Sequence, residues 1–139
     1  MRDVIRYMKV EQRRRDGIRI IDVSGSLGLP NLSALKGIFS VCIEIEDEPV
    51  AINMASVSAV TSAAVGAILH LYAELERQRR PLALFNLSSA ARQVLELVEL
   101  LNFFPIYDTE EEAVHHLKNP PPDWKSNPGK FDGIPFHIR

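Results

Sequence analysis

Apolar and polar positions change period several times along this chain, and each change marks an element. From Val4 to Val10 apolar and charged side chains alternate, the period of a half-exposed strand. Ile18 to Val23 is rich in Ile and Val, and Asp16-Gly17 just before it is a strong turn signal, so the two runs predict a hairpin. Arg13, Arg14 and Arg15 crowd that turn, either as a solvated loop tip or as a contact for an acidic partner. Leu32, Leu35, Ile38, Phe39 and Cys42 then fall at helical spacing, with Pro30-Asn31-Leu32-Ser33 at the start and the acidic run Glu44 to Glu48 at the end. Val50 to Met54 is nearly all apolar, as a centrally buried strand should be. A polar turn, Thr61-Ser62, opens a helix at Ser62. It carries Val65, Ile68, Leu71, Tyr72 and Leu75 inward and Gly66, His70, Glu74 and Arg77 on another face. Leu82 to Leu87 predicts a strand, and Ser88 or Ser89 caps a third helix whose buried stripe is Val94, Leu97, Val98 and Leu101. Thr109 caps a last helix, where Glu112 three residues on completes a capping-box pattern.

The order is two strands, helix, strand, helix, strand, helix, helix. Buried strands alternating with helices need a sheet covered by helices, joined by right-handed crossovers where strands are parallel. The expected fold is therefore α/β, a mixed four- to five-stranded sheet packed against four helices. After Leu117 the character changes. Pro120, Pro121, Pro122, Pro128 and Pro135 block regular helix or central strand. Trp124, Phe131, Ile134 and Phe136 make that stretch too apolar for a simple solvated linker. The division is a domain over residues 1–118 and a proline-rich tail over residues 119–139.

Composition narrows the function. With 139 residues, 46% of them apolar, the chain can bury one core. A formal net charge of −2 gives no whole-chain pull toward nucleic acid or anionic membrane. Cys42 is the only cysteine and lies in an apolar helical pattern, so it reads as a core residue in a reducing cytoplasm. The first residues alternate basic and apolar rather than forming a leader, and no run of about 18 apolar residues exists to span a bilayer. Asp108 to Glu112 lies in the first turn of a helix, where acidic residues favour the dipole without any catalytic role. His115 and His116 are adjacent on a helix and cannot face one metal together. No nucleophile–base pair, glycine-rich phosphate loop or zinc spacing appears. The expectation is a binding protein with no enzymatic activity, no cofactor and no metal.

The stretch Ile52 to Gly66 carries the remaining chemistry. Its turn aims a serine hydroxyl at a helix N-terminus, where unpaired N–H groups and the positive end of the dipole favour an anion such as a phosphate. One reading is that Ser62 simply caps its helix by accepting an N–H from the first turn. A cap serine can also be phosphorylated, so the two readings are compatible. The stretch resembles the signature of the STAS family, the domain shared by anti-sigma factor antagonists and sulfate transporters. In the antagonists the pattern reads Asp, Ser, Ser or Thr, Gly, Leu, Gly, and here Thr61, Ser62, Ala63, Ala64, Val65 and Gly66 fill those positions. Val23-Ser24-Gly25-Ser26-Leu27 looks like the family's second strand and Gly-Glu-Leu-Asp turn. Leu82 to Ser88, Arg92 to Leu97 and Phe104 to Asp108 match its last strand and last helices in order, so the similarity runs from Val4 to Leu117.

That resemblance implies a cytoplasmic anti-sigma factor antagonist that docks on a partner-switching serine kinase, itself an anti-sigma factor, with Ser62 as the phosphorylated residue. It outlines a docking surface of Gly25, Ser26, Gly28, Thr61, Ser62, Ala63, Val65, Gly66 and His70, the last otherwise a plain surface histidine. Two departures stand out: Thr61 and Gly28 occupy positions that are acidic in the antagonists, so the hydroxyl is kept while its acidic surroundings are stripped. Ala64 replaces the glycine that usually follows the serine pair. A stressosome-type scaffold is a sister possibility. An accessory subunit of a lipid-transport ABC ATPase complex is the runner-up. A structural homodimer whose proline-rich tail reaches across to the partner copy is a third reading.

Overall fold

In the computed structural model, which describes residues 7–45 and 47–119, the two N-terminal strands form the expected hairpin. Strand β1 (Met8–Arg15) runs antiparallel to β2 (Ile18–Leu27), with Arg15 opposite Ile18 across a two-residue turn. Asp16 and Gly17 both have positive φ (53° and 78°), the type I′ geometry whose twist matches the flanking strands. Among the described residues the strand starts at Met8 and continues through Arg13, Arg14 and Arg15, which are strand residues rather than a loop tip. The expected residues Val4 to Arg6 lie outside the described residues.

The chain continues through α1 (Leu29–Ile45), β3 (Val50–Val60), α2 (Ser62–Arg77), β4 (Leu82–Phe85), α3 (Ser89–Leu97), β5 (Ile106–Tyr107) and α4 (Glu110–Lys118). The strands stand side by side in the order β1-β2-β3-β4-β5, and every pair after the first is parallel. Each parallel pair is joined through a helix, as parallel pairing demands. The result is the mixed five-stranded sheet with four helices expected from the sequence.

Alternation along the strands divides the core in two. Ile21, Val23, Val50, Ile52, Leu82 and Leu84 point to the face covered by α1, α2 and α3, where Leu35, Phe39, Leu69, Tyr72 and Leu95 meet them. Ile18, Ile20, Ala51, Ala83 and Phe85 point to the other face, which α4 covers with Ala113, Val114 and Leu117. Cys42 is buried in the larger core.

Later elements also differ from expectation. Strand β3 does not stop at Met54 but runs to Val60, pairing with β2 well past the apolar segment. Strand β4 stops at Phe85, because Asn86 turns with φ of 55°. Helix α3 is capped by Ser88, whose hydroxyl oxygen accepts from the Ala91 amide at 3.1 Å; it buries Ala91 and Leu95, while Val94, Val98 and Leu101 of the expected stripe are half-buried against the same core. Leu97 is 83% exposed, and the helix ends before Leu101 because Glu99 adopts φ of 62°. The tail expected over residues 119–139 falls outside the described residues beyond Asn119. Among the described residues, no helix is long and apolar enough to cross a membrane.

Candidate functional site

The site lies where β2 and β3 end. Asp22 pairs with Asn53 and Ser24 with Ser56, then Gly25 with Val57 and Ser26 with Ala59, so β3 twice gains one residue on its neighbour. Such bulges bend a strand and increase its twist. They carry β3 around until Thr61 reaches the end of β2, where both its amide (3.1 Å) and its hydroxyl (3.2 Å) donate to the Leu27 carbonyl. The same hydroxyl oxygen accepts from the Ala64 amide at 3.2 Å, and Thr61 has extended backbone dihedrals. Thr61 is therefore the N-cap of α2. This corrects the capping role read for Ser62: that serine is the first helical residue, and its side chain is exposed.

A second loop closes against the first. The Asn31 side chain donates to the Ser26 carbonyl at 2.8 Å and the Asn31 amide donates to the Gly28 carbonyl at 3.0 Å, fixing the turn into α1. A Cβ placed on Gly28 would lie 3.3 Å from the Ser26 hydroxyl and 4.0 Å from the Thr61 methyl, so the two loops are in contact. Gly25 has φ of 90°, and any Cβ there would collide with the Tyr7 carbonyl oxygen. Only glycine fits that position.

The structure thus brings Ser26, Gly28, Thr61 and Ser62 together, with Ser26 and Gly28 buried beneath and Ser62 and Ala63 at the surface. Gly25 and Gly66 are half-exposed, and His70 is exposed two turns along α2. Val65 does not belong to any docking surface. It is 0% exposed in the larger core, as its place on the inward stripe of α2 requires. The site is electrically bare: residues 26–35 and 50–69 contain no charged side chain, and the first turn of α2 carries no acid.

A second polar cluster, which sequence reasoning missed, lies on the α4 face of the sheet. Arg13 donates to both oxygens of Asp22 (2.7 and 3.1 Å) and to both oxygens of Glu110 (3.0 and 2.7 Å). Arg15 donates to Glu110 at 2.7 Å, and Asn53 donates to Asp22 at 2.9 Å. Hydrogen bonding to Arg13 first, and then to Arg15, holds the Glu110 carboxyl down at about 2. The same arginine, with Asn53, lowers Asp22. Arg14 pairs with Glu48 at 2.6 Å. The arginine run does find acidic partners, and they are the chain's own carboxylates. A sequence signal existed in the pairing of basic β1 with the acidic start of α4, but only the topology brings them together.

Elsewhere, Tyr107, Glu111, Glu112, His115 and His116 line an open groove beside α4, with the Tyr107 and His116 rings 4.9 Å apart. Burial pushes the Tyr107 hydroxyl up to about 12 and lowers His116. Among the described residues, no three His, Cys, Asp or Glu side chains converge as metal ligands.

Fold and site together define a small α/β domain that presents a serine at the start of a helix beside a second loop. The family model for the STAS domain matches residues 9–113, and the chain belongs to that family. Among solved structures, it is similar to an anti-sigma factor antagonist from Mycobacterium paratuberculosis, with 18% identity over 81% of this chain and 96% of the other and a TM-score of 0.73. It is also similar to the anti-sigma factor antagonist SpoIIAA in its unphosphorylated form (22% identity, 79% and 96% covered, TM-score 0.67). The phosphorylated form of the Bacillus cell fate determinant SpoIIAA matches too (23% identity, 79% and 98% covered, TM-score 0.60). At these identities the likeness is one of fold. A search of curated proteins finds no match.

Proposed function

We propose that this chain is a non-enzymatic, cytoplasmic regulator of the anti-sigma factor antagonist type. It docks on a serine kinase that is also an anti-sigma factor, so that the sigma factor is released, and phosphorylation of Ser62 turns docking off. The observation that carries this reading is the division of labour at α2: Thr61 makes the cap, leaving the Ser62 hydroxyl exposed on the first helical residue. Phosphoserine adds roughly −1.5 to −2 charges and three acceptor oxygens, which suit a helix N-terminus. Between two segments, residues 26–35 and 50–69, that carry no charge of their own, that group alters what can pack there, because a partner built for neutral contacts must desolvate it. That SpoIIAA, a protein of the same fold, is described in unphosphorylated and phosphorylated forms supports the assignment. Residues 1–118 form the folding unit in this reading, and the tail is dispensable for folding.

Calorimetry on the purified pair tests the switch. Ser62→Ala should bind the cognate kinase as wild type does, while Ser62→Asp should bind at least tenfold more weakly, an effect of about 1.4 kcal/mol. Equal affinities for the two variants refute the switch and leave a constitutive binder. The loss of carboxylates at positions 28 and 61 favours one second reading, an accessory subunit that grips the ATPase of a lipid-transport complex. Neighbouring genes separate the two: a serine kinase and sigma factor in one case, an ABC ATPase and permease in the other.

A further inference from the structure

We propose that β1 is the interface of a homodimer, two copies pairing edge to edge and antiparallel about a two-fold axis through Val10. The inference is independent of the Ser62 switch. Among the described residues, strand β1 ends the sheet. The Tyr7 carbonyl accepts from the Ser26 amide, so odd-numbered residues of β1 turn their backbone groups toward β2. By alternation the N–H and C=O groups of Met8, Val10 and Gln12 point away from the sheet. Edges of this kind are normally blunted by proline, by a bulge or by a run of one charge. Strand β1 has no proline, its register against β2 is unbroken from Met8 to Arg15, and its one run of like charge, Arg13 to Arg15, lies at the turn end, paired with Glu110 and Glu48 of the same chain.

The charge pattern of β1 is self-complementary about one residue. Lys9 and Glu11 point to the same face, 3.3 Å apart, and both side chains are more than half exposed. A two-fold axis through Val10, perpendicular to the sheet, sets Lys9 opposite the partner's Glu11 and Glu11 opposite the partner's Lys9. Cross-strand pairs of opposite charge stabilise such pairing. The same register sets Val10 against its own copy and Met8 against the partner's Gln12. It also lays Tyr7, 56% exposed in the single chain, against the stem of the partner's Arg13. An axis through Gln12, the next outward-facing residue, sets Lys9 against the partner's Arg15, a like-charge contact that offsets the Glu11 pair with the partner's Arg13, and Arg13 is already held by Asp22 and Glu110 of its own chain. The sequence of the edge therefore favours one register and one occupant, a second copy of this chain.

Sedimentation of the full chain over a concentration series tests this. Wild type should reach twice the 15.6 kDa chain mass. Lys9→Glu should weaken association by about tenfold or more, since it opposes two carboxylates in both symmetric pairs. Lys9→Glu combined with Glu11→Lys should restore the wild-type dimer. Gln12→Pro removes one outward N–H at an exposed edge position, where proline is tolerated, and should also weaken the dimer. Circular dichroism should be unchanged in all variants. A wild-type chain that stays monomeric overturns the proposal, as does a dimer indifferent to Lys9→Glu and Gln12→Pro. A double variant no better than Lys9→Glu alone overturns the register.

Discussion

Helices α2 and α4 begin with the same chemistry and end up in opposite electrostatic states. Each is capped by a threonine whose hydroxyl oxygen accepts, at 3.2 Å, from the amide three residues on: Thr61 from Ala64 and Thr109 from Glu112. Helix α4 then carries Glu110, Glu111 and Glu112 in its first turn, and Arg13 and Arg15 saturate Glu110. Helix α2 carries Ser62, Ala63 and Ala64, with no acid at all. At α4 the positive end of the helix dipole is already answered by carboxylates, and the helix is tied to β1. At α2 that end is open to whatever charge arrives. A helix start is held in place by its cap and its neighbours, while its affinity for an anion depends on the first turn. The two properties are separately adjustable, and this chain sets them differently at its two threonine caps.

The comparison also separates steric from electrostatic restraint, and the largest expected effect tests the steric side. Near α2 the loops are fixed by shape, above all where Gly25 admits the Tyr7 carbonyl. Gly25→Ala should lower stability by about 3 kcal/mol or more in urea unfolding, since it combines a backbone collision with a positive φ. A loss below about 1 kcal/mol would mean that the start of β1 shifts freely and that shape does not fix this end.

Near α4 the restraint is ionic, and Glu110→Gln should cost about 2 kcal/mol at neutral pH, with a smaller difference at high salt. The sign with pH follows from the depressed carboxyls of Glu110 and Asp22. Their stabilisation is complete above the ordinary carboxylate range and is lost as pH falls through it toward about 2, the value held by Glu110. Wild type should therefore lose stability over that interval, and Glu110→Gln should flatten the slope. An unchanged acid limb would show that the network holds α4 by packing alone.

Much of this was legible in the sequence where a single element determined the answer. The Asp16-Gly17 turn, the apolar first half of β3 and the inward stripe of α2 follow from local period and turn chemistry. What was hidden depends on partners distant in the chain. Arg13 to Arg15 look like a loop tip because their carboxylates lie at Asp22, Glu48 and Glu110. The second half of β3 reads as a loop because Ser56 and Ser58 are polar, yet the bulged pairing with β2 keeps it a strand. Arg80 sits in a basic run and is nonetheless buried, with its guanidinium donating to the Cys42 carbonyl in the last turn of α1, where a cation complements the negative end of the helix dipole, and to the Glu48 carbonyl just beyond it. Of the α3 stripe, Val94, Val98 and Leu101 do pack against the core, but Leu97 was misplaced because the helix stops there, leaving Leu100 to enter the core from the following turn. At the site, the serine's place on the helix was readable. The identity of the cap was not, since Thr61 and Ser62 are both capping residues, serine the better one, and the pairing of Thr61 with the Leu27 carbonyl decides between them.

The smallest expected effect tests the open dipole of α2 directly. Ser62→Asp places a carboxylate on the first helical residue without touching the Thr61 cap, so the folded protein should gain about 0.5 kcal/mol at neutral pH, while Ser62→Ala changes little. The sign is again set by a carboxyl that the helix end holds below its ordinary value. The gain is full above that value and disappears as the group is protonated at lower pH. Urea midpoints measured at neutral and acid pH decide the matter. No gain at neutral pH, or a gain that persists in acid, would mean that α2 does not present an unanswered positive end. The measurement also protects the functional reading from a trivial explanation. If Ser62→Asp is at least as stable as wild type and still binds a kinase more weakly, the loss lies in the interface and not in the fold.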